Sequence, residues 1–202
     1  EAVSVRALLH PRSVAVIGAS RRTDTVGNTV LNRLLAEGFA GTIYPVNPNA
    51  ESIAEHQAYP SVSAIPEPVD LAIVTVPAHA VLEVVDECAA AEVKALLVMS
   101  SGFAEAGKEG ARRQAELVRR ARGSGMRVVG PNSFGLINNS PEVRLNASLA
   151  PTLPPPGQLG LFAQSGALSI AVLASAARRR LGLSTFASAG NRADVSGNDF
   201  MQ

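Results

Sequence analysis

Ser13-Val-Ala-Val-Ile-Gly-Ala-Ser20, read together with the segment up to Gly38, decides the fold of this chain. Val14, Ala15, Val16 and Ile17 form a short unbroken apolar run, the pattern of a strand buried on both faces of a parallel sheet. The run breaks at Gly18, passes through Ala19 and Ser20, and meets a polar loop from Arg21 to Thr25. Gly27, Val30, Leu31, Leu34 and Leu35 then fall on one face of a helix that stops at Gly38. A strand, a glycine turn and a helix N-terminus gather unpaired N–H groups and the positive end of a helix dipole at one spot, which suits a nucleotide-type phosphate. An ordinary tight turn, which any α/β domain needs there, accounts for the same residues. The dinucleotide fingerprint is not met, because no second glycine follows Gly18 and Gly27 is nine residues on.

Outward from this unit, Thr42-Ile-Tyr-Pro-Val-Asn-Pro48 reads as a second strand closed by a rigid turn. Pro48 keeps Asn47 extended at the carboxyl edge of the sheet. An NAD site would carry Asp or Glu at that strand end for the ribose hydroxyls, so Asn47 argues against NAD. Asp70 to Pro77 is the third strand, ending at Val76 and Pro77. The helix after it places Cys88 among valines, a packing role, and His79 in its first turn, on solvent or near a ligand. Ala95 to Met99 is the fourth strand, and Ser100, Ser101 and Gly102 at its end suit backbone and hydroxyl contacts to a ligand, or a helix-capping turn. The arginines of the next helix read as a solvated face, and Met126 to Gly130 is the fifth strand. Five strands with helical crossovers predict an α/β fold, a Rossmann-like doubly wound parallel sheet that binds ligands at the carboxyl ends of its strands.

Past Gly130-Pro-Asn-Ser-Phe-Gly135 the regular pattern stops, and the proline-rich segment from Pro151 to Gly157 marks a boundary. The expected organisation is a first domain over 1–140, a linker over 141–157 and a second unit over 158–202. That unit begins with Leu159-Gly-Leu-Phe-Ala163, the turn Gln164-Ser165-Gly166 and a helix from Ala167 to Leu181, apolar nearly all round and so expected to be buried. The start of this helix is a second candidate anion site. Ser184 to Ser188 is another strand, with Asp194 after it as the start of a last helix. The result is a partial βαβ unit, too small to close a core of its own.

Composition bounds the rest. The 202 residues are 47% hydrophobic and 4% aromatic, without Trp, which predicts an aliphatic core. A net charge of +1 implies no general attraction to nucleic acid or to an anionic membrane. The single cysteine excludes internal disulfides and suits a reducing, cytoplasmic setting. No apolar stretch approaches the ~20 residues of a bilayer span, and no secretory leader is evident. A start at Glu1 fits an excerpt or a processed form.

The order of the motifs is more specific than any one of them. Val16-Ile-Gly-Ala-Ser20, Tyr44-Pro-Val-Asn47, Val74-Thr-Val-Pro77, Ser101-Gly-Phe-Ala-Glu105, Gly130-Pro-Asn132 with Gly135, Leu145-Asn-Ala147, Gln164-Ser-Gly-Ala-Leu168 and Gly190-Asn-Arg-Ala-Asp194 follow one another. In sequence and spacing they resemble the NDP-forming acyl-CoA synthetases, relatives of the succinyl-CoA synthetase alpha subunit. The resemblance implies a Rossmann-like CoA-binding domain and the start of a flavodoxin-like ligase domain. By the same resemblance Gly18, Ala19 and Ser20 would hold phosphates of CoA or acyl-CoA, with Asn47 and Pro48 near the adenosine. Val76, Pro77, Ser100, Ser101 and Gly102 would line the edge, and Asn132 and Ser133 would face the thiol end. Gln164, Ser165 and Gly166 would stabilise a phosphate at a helix start.

Two positions depart from the family. Ser133 stands where a Cys is usual, and Ala163 where a Ser is usual. The phosphorylated histidine of the family belongs to a later segment, and none of His10, His56 and His79 lies in a matching motif. The ATP-grasp domain is also absent, so ATP/ADP and Mg²⁺ would be handled elsewhere in a full-length protein or by a partner chain. No residue of this chain is assigned a catalytic role or a metal. Two other functions remain open: a ligand-sensing, non-catalytic region fused to a protein lysine acetyltransferase, toward which Ser133 and Ala163 lean, and an NAD-binding module. Acyl group, nucleotide and any homo-oligomer are left open.

Overall fold

The structure is a computed structural model and describes residues 2–200. Helix α1 (Ala2–Leu9) leads into β1 (Ser13–Ile17) and α2 (Val26–Ala36), then β2 (Thr42–Val46). A two-stranded ribbon, β3 (Ser52–Ile53) with β4 (His56–Gln57), precedes β5 (Leu71–Val74) and α3 (Val81–Ala90). After these come β6 (Ala95–Val98), α4 (Lys108–Gly123) and β7 (Arg127–Val129).

These long strands form one parallel sheet in the order β2-β1-β5-β6-β7. All five expected strands are present, displaced by a residue or two at their ends. Every residue of β1, β5 and β6 is buried, as strands covered by helices on both sides must be. The order reverses between β1 and β5, and in open α/β sheets that reversal opens a crevice beyond the carboxyl ends.

The second sheet departs from the expected boundaries. It comprises β8 (Gly135–Asn138), β9 (Leu145–Ser148), β10 (Pro156–Ala163) and β11 (Leu183–Ser188), in the order β10-β11-β8-β9. The unit β10, α5 (Gly166–Arg178), β11 is parallel, as expected, but β8 runs antiparallel to both β11 and β9. Residues 145–148, expected within a linker, are therefore a fully buried strand. Leu145 and Ala147 join Val14, Val16, Leu31 and Leu34 in one core that also takes in Leu136 and Ala187. The segment seals one sheet to the other.

Two further expectations are corrected. Helix α5 is not buried all round: Ser169, Leu173 and Ala176 are buried, whereas Leu168 is 60% and Ile170 39% exposed. The cause is position, since β10 is an edge strand and α5 covers only one side of it. Asp194 does not start a helix. Its carboxylate turns inward to Arg127, Arg122 and the Val128 N–H, and the short α6 (Gly197–Phe200) begins after Ser196, whose N–H and hydroxyl donate to Asp199. Among the described residues no helix is long and apolar enough to cross a membrane.

Candidate functional site

The turn after β1 is built by close backbone contact. Gly18 has φ +94°, and a β-carbon there would lie 2.6 Å from Thr75 Oγ1. Thr75 donates both its N–H and its hydroxyl to the Ile17 carbonyl, each at 2.9 Å. Gly27, in the first turn of α2, comes still closer: a β-carbon on it would lie 2.0 Å from the Gly18 carbonyl oxygen. The start of α2 therefore rests on the turn itself. Thr25 caps the helix, its Oγ1 accepting the Asn28 N–H at 3.2 Å.

Side-chain amides then fix the loop. Asn47 Nδ2 donates to the Ala19 carbonyl at 2.7 Å while its Oδ1 accepts the Asn49 N–H at 2.8 Å. Asn28 Nδ2 donates to the Ser20 carbonyl at 2.8 Å, and Ser20 Oγ accepts the Arg22 N–H at 3.0 Å. Asn47 thus shapes the loop from the neighbouring strand. The first-turn amides of an α-helix have no partner within the helix, so the start of α2 offers donors and a positive dipole end. Arg21, which donates to the Ser52 carbonyl at 2.8 and 3.0 Å, adds positive charge beside it, whereas Arg22 is paired with Asp24 at 2.8 and 3.2 Å. This arrangement can hold an anion.

Further along the same edge, Ser100 is not free to meet a ligand through its hydroxyl, which donates to the Val76 carbonyl at 2.5 Å. Ser101 and Pro77 are exposed, and Val76 is half-buried. Gly102, at φ +100°, donates its N–H to Glu105 Oε1 at 2.6 Å, and Arg113 holds its carbonyl at 2.7 Å. Burial pushes the Glu105 carboxyl up, but the bonds from Asn191, Phe103 and Gly102 outweigh it and hold it below the usual carboxylate value.

The turn after β7 corrects one expectation. Ser133, expected to face the thiol end, is 4% exposed, and its hydroxyl donates to the Ser188 carbonyl at 2.6 Å while accepting the Gly135 N–H at 3.0 Å. It ties the turn to β11 because β8 must turn there into the second sheet. A hydroxyl at this position is explained by that bond, so the departure from Cys says nothing against chemistry. Asn132 is exposed, at φ 57°. Pro48 is exposed at the end of β2.

In the second unit, Ser165 caps α5, accepting the Leu168 N–H at 3.2 Å, and Gln164 is exposed beside it. Gly166 packs against Phe134, to whose ring a β-carbon would come within 3.2 Å. The structure thus packs the Gln164–Gly166 helix start on Phe134, the residue after the Pro131–Ser133 turn. His79 is exposed in a short 3₁₀ turn, His56 is exposed on β4, and His10 lines a cavity of about 340 Å³ with Arg6, Arg12, Asp70 and Lys94. Burial and neighbouring Glu87 push the Cys88 thiol up to about 12, so it is packing and not a nucleophile. Among the described residues no three His, Cys, Asp or Glu side chains cluster to hold a metal ion. Sequence reasoning missed Arg21, Thr75, Glu105 and Asn191; the last three stood in quoted motifs but carried no role.

Comparison with known proteins adds a second line. The profile described as CoA binding domain matches residues 12–139, and that described as succinyl-CoA ligase like flavodoxin domain matches residues 156–202. The chain is 41% identical to the acetate–CoA ligase [ADP-forming] I subunit alpha of Pyrococcus furiosus, over 99% of this chain and 44% of that protein. It is 34% identical to the 4-hydroxybutyrate–CoA ligase [ADP-forming] of Nitrosopumilus maritimus, over 96% of this chain and 28% of that protein. Among solved structures, the dinucleotide forming acetyl-coenzyme A synthetase 1 of Ca. Korarchaeum cryptofilum, in complex with phosphate and ADP, superposes with a TM-score of 0.93 at 40% identity, over 98% of this chain and 42% of that one. The chain spans less than half the length of these relatives.

Proposed function

The chain belongs to the CoA-binding domain family, and we propose that it is the CoA- or acyl-CoA-holding portion of an NDP-forming acyl-CoA synthetase of the acetate–CoA ligase type. The observation that carries the reading is the clamp of Gly18, Gly27 and Asn47, which fixes the turn after β1 against the start of α2.

In this reading Gly18, Ala19 and Ser20, the first-turn amides of α2 and Arg21 would bind the CoA phosphates. Asn47 and Pro48 would lie near the adenosine, with Val76, Pro77, Ser101 and Gly102 lining the edge and Asn132 at the thiol end. Gln164, Ser165 and Gly166 would receive a phosphate at the start of α5. What CoA supplies is the thiol that carries the acyl group; the residues here bind and orient it. An ATP-grasp domain on the same or a partner chain would handle ATP/ADP and Mg²⁺, in a cytoplasmic setting.

Asn47 separates this reading from an NAD module. Its amide is engaged with Ala19 and Asn49, and no carboxylate stands there for a ribose diol. A second reading, the ligand-sensing region of an acetyltransferase fusion, is favoured only by Ala163, which removes one hydroxyl beside the helix start. Calorimetric titration of the chain with CoA, acetyl-CoA and NAD tests the proposal. CoA is expected to bind more tightly than NAD, and tighter NAD binding would overturn it.

A further inference from the structure

Glu105 and Asn191 have no part in the ligand reading, yet the fold joins them. One Glu105 oxygen accepts the N–H groups of Gly102 at 2.6 Å and Phe103 at 3.1 Å, and the other accepts the side-chain amide of Asn191. The same amide reaches Gln114 Oε1 at 2.9 Å, and that oxygen also accepts the Ala104 N–H at 3.3 Å. The loop after β6 and the turn after β11 are thus held by one shared set of hydrogen bonds.

The backbone of that turn leaves little slack. The Asn191 N–H donates to the Pro131 carbonyl at 2.8 Å. Gly190, at φ +54°, lies so close that a β-carbon would come 2.2 Å from the same oxygen. Two residues earlier, the Ala189 N–H donates to the Ala163 carbonyl at 2.8 Å. Ala163 directly precedes Gln164 and the Ser165 cap of α5. A continuous run of bonds therefore leads from Gly102 through Glu105 and Asn191 to the start of α5.

We infer that Asn191 is a positioning residue that couples a ligand at Ser100–Gly102 to the helix start at Gln164–Gly166. The inference rests on the CoA reading of that edge. A ligand seated on Ser101 and Gly102 restrains the Gly102 amide that Glu105 also binds. Glu105 passes the restraint to Asn191, whose pinned backbone passes it to Ala189 and Ala163. Coupling of this kind is reciprocal: a phosphate at α5 would tighten the hold on CoA by the same factor. A surface staple without this role would add stability and nothing else, and a path of bonds becomes a coupling only when a variant breaks it.

The test is a double-mutant cycle on the 202-residue chain, read by amide NMR shifts during CoA titration, with calorimetry for affinity and thermal melts for folding. In the wild type, CoA should shift the amides of Ser101 and Gly102 and also those of residues 163–168 and 189–191. Asn191→Ala should stay folded, bind CoA within about threefold of wild type, keep the Ser101 and Gly102 shifts and lose about half or more of the distant ones. Glu105→Ala, a second variant, should lose them likewise. The pair Glu105→Ala with Asn191→Ala should lose no more of them than either single variant, because both break one path. Distant shifts undiminished in Asn191→Ala, or losses that add in the pair, would overturn the coupling. Binding without any wild-type response at 163–168 would overturn the coupling alone, whereas a chain that takes no CoA would overturn the reading of the edge and the coupling with it.

Discussion

Gly27 sits against Gly18 so closely that a β-carbon on Gly27 would lie 2.0 Å from the Gly18 carbonyl oxygen. In the dinucleotide fingerprint one of three glycines lets the helix approach the strand; here Gly27 takes that task from nine positions away. The contact is with backbone, which cannot rotate aside. Gly27→Ala should therefore lift α2 off the turn, destabilise the chain by about 2 kcal/mol and weaken CoA binding. Chemical denaturation and calorimetry check both, and an unchanged midpoint with unchanged affinity would refute the role given to Gly27.

Ser20 tests the phosphate end of the proposed site. It is half-buried beside the start of α2, and its hydroxyl accepts only the Arg22 N–H. Ser20→Glu places a carboxylate where phosphate oxygens are expected, and CoA affinity should fall by at least about tenfold, an interaction loss of ~1.4 kcal/mol. Unchanged affinity would move the phosphates elsewhere.

Asp194 holds the end of the chain onto the first sheet. Its side chain is fully buried, accepts from Arg127 Nε at 3.0 Å and the Val128 N–H at 2.8 Å, and pairs with Arg122. Asp194→Ala would leave Arg127, whose side chain is 9% exposed, without this partner. A destabilisation of about 3 kcal/mol is expected, because removing one member of a buried pair strands the other. A loss below about 1 kcal/mol would show that Asp199 alone holds Arg127.

Acid should loosen the same chain in a defined window. Burial pushes the Asp70 carboxyl up, but hydrogen bonds from Lys94 and the Arg12 N–H outweigh it and hold it below the usual value. Asp199, bonded by Ser196 and then by Arg127, is held down to about 2. Carboxyls depressed in the folded state stabilise it above their unfolded value of about 3.9, and that contribution is lost as pH falls through the folded value. Melting temperature should therefore fall from about pH 4 down to pH 2. Asp70→Asn should lower it at neutral pH by the equivalent of about 1–3 kcal/mol and flatten the acid limb. An acid limb as steep as that of the wild type would remove Asp70 as a cause.

The chain by itself should catalyse nothing. Phosphoryl transfer through a protein nucleophile needs a side chain that can carry the group, as a neutral histidine can, and that reaches a charge-stabilising helix start. His10 lies with Asp70 and Lys94, His56 on β4, and His79 in the turn before α3. Incubation with γ-labelled ATP, Mg²⁺, CoA and acetate should give neither acid-labile label on the chain nor acetyl-CoA. Either product would show that one of these histidines reaches α5.

The first sheet was legible in the sequence because a strand buried on both faces has to be apolar throughout, and β1, β5 and β6 read that way without any partner in view. The residues gathered at its carboxyl edge followed from the same pattern, since each strand ends where the apolar run meets Gly, Pro, Ser or Asn. The short strand Leu145-Asn-Ala-Ser148 escaped because Asn146 and Ser148, buried and bonded to each other, interrupt the apolar run, and its partner β8 is known only from the fold.

By itself, then, the sequence determined the parallel sheet, the turns at its carboxyl edge and the family to which the chain belongs, because strands, turns and helix starts are written in neighbouring residues. Only the tertiary structure decided that Ser133 faces Ser188, that Asn47 grips Ala19, that α5 stays half open and that Glu105 meets Asn191. The partners in the last pair lie 86 positions apart, and those in the first 55. Hydrogen bonds over such separations leave no periodic trace in a chain; they arise when two packed sheets bring unrelated turns within 3 Å of each other.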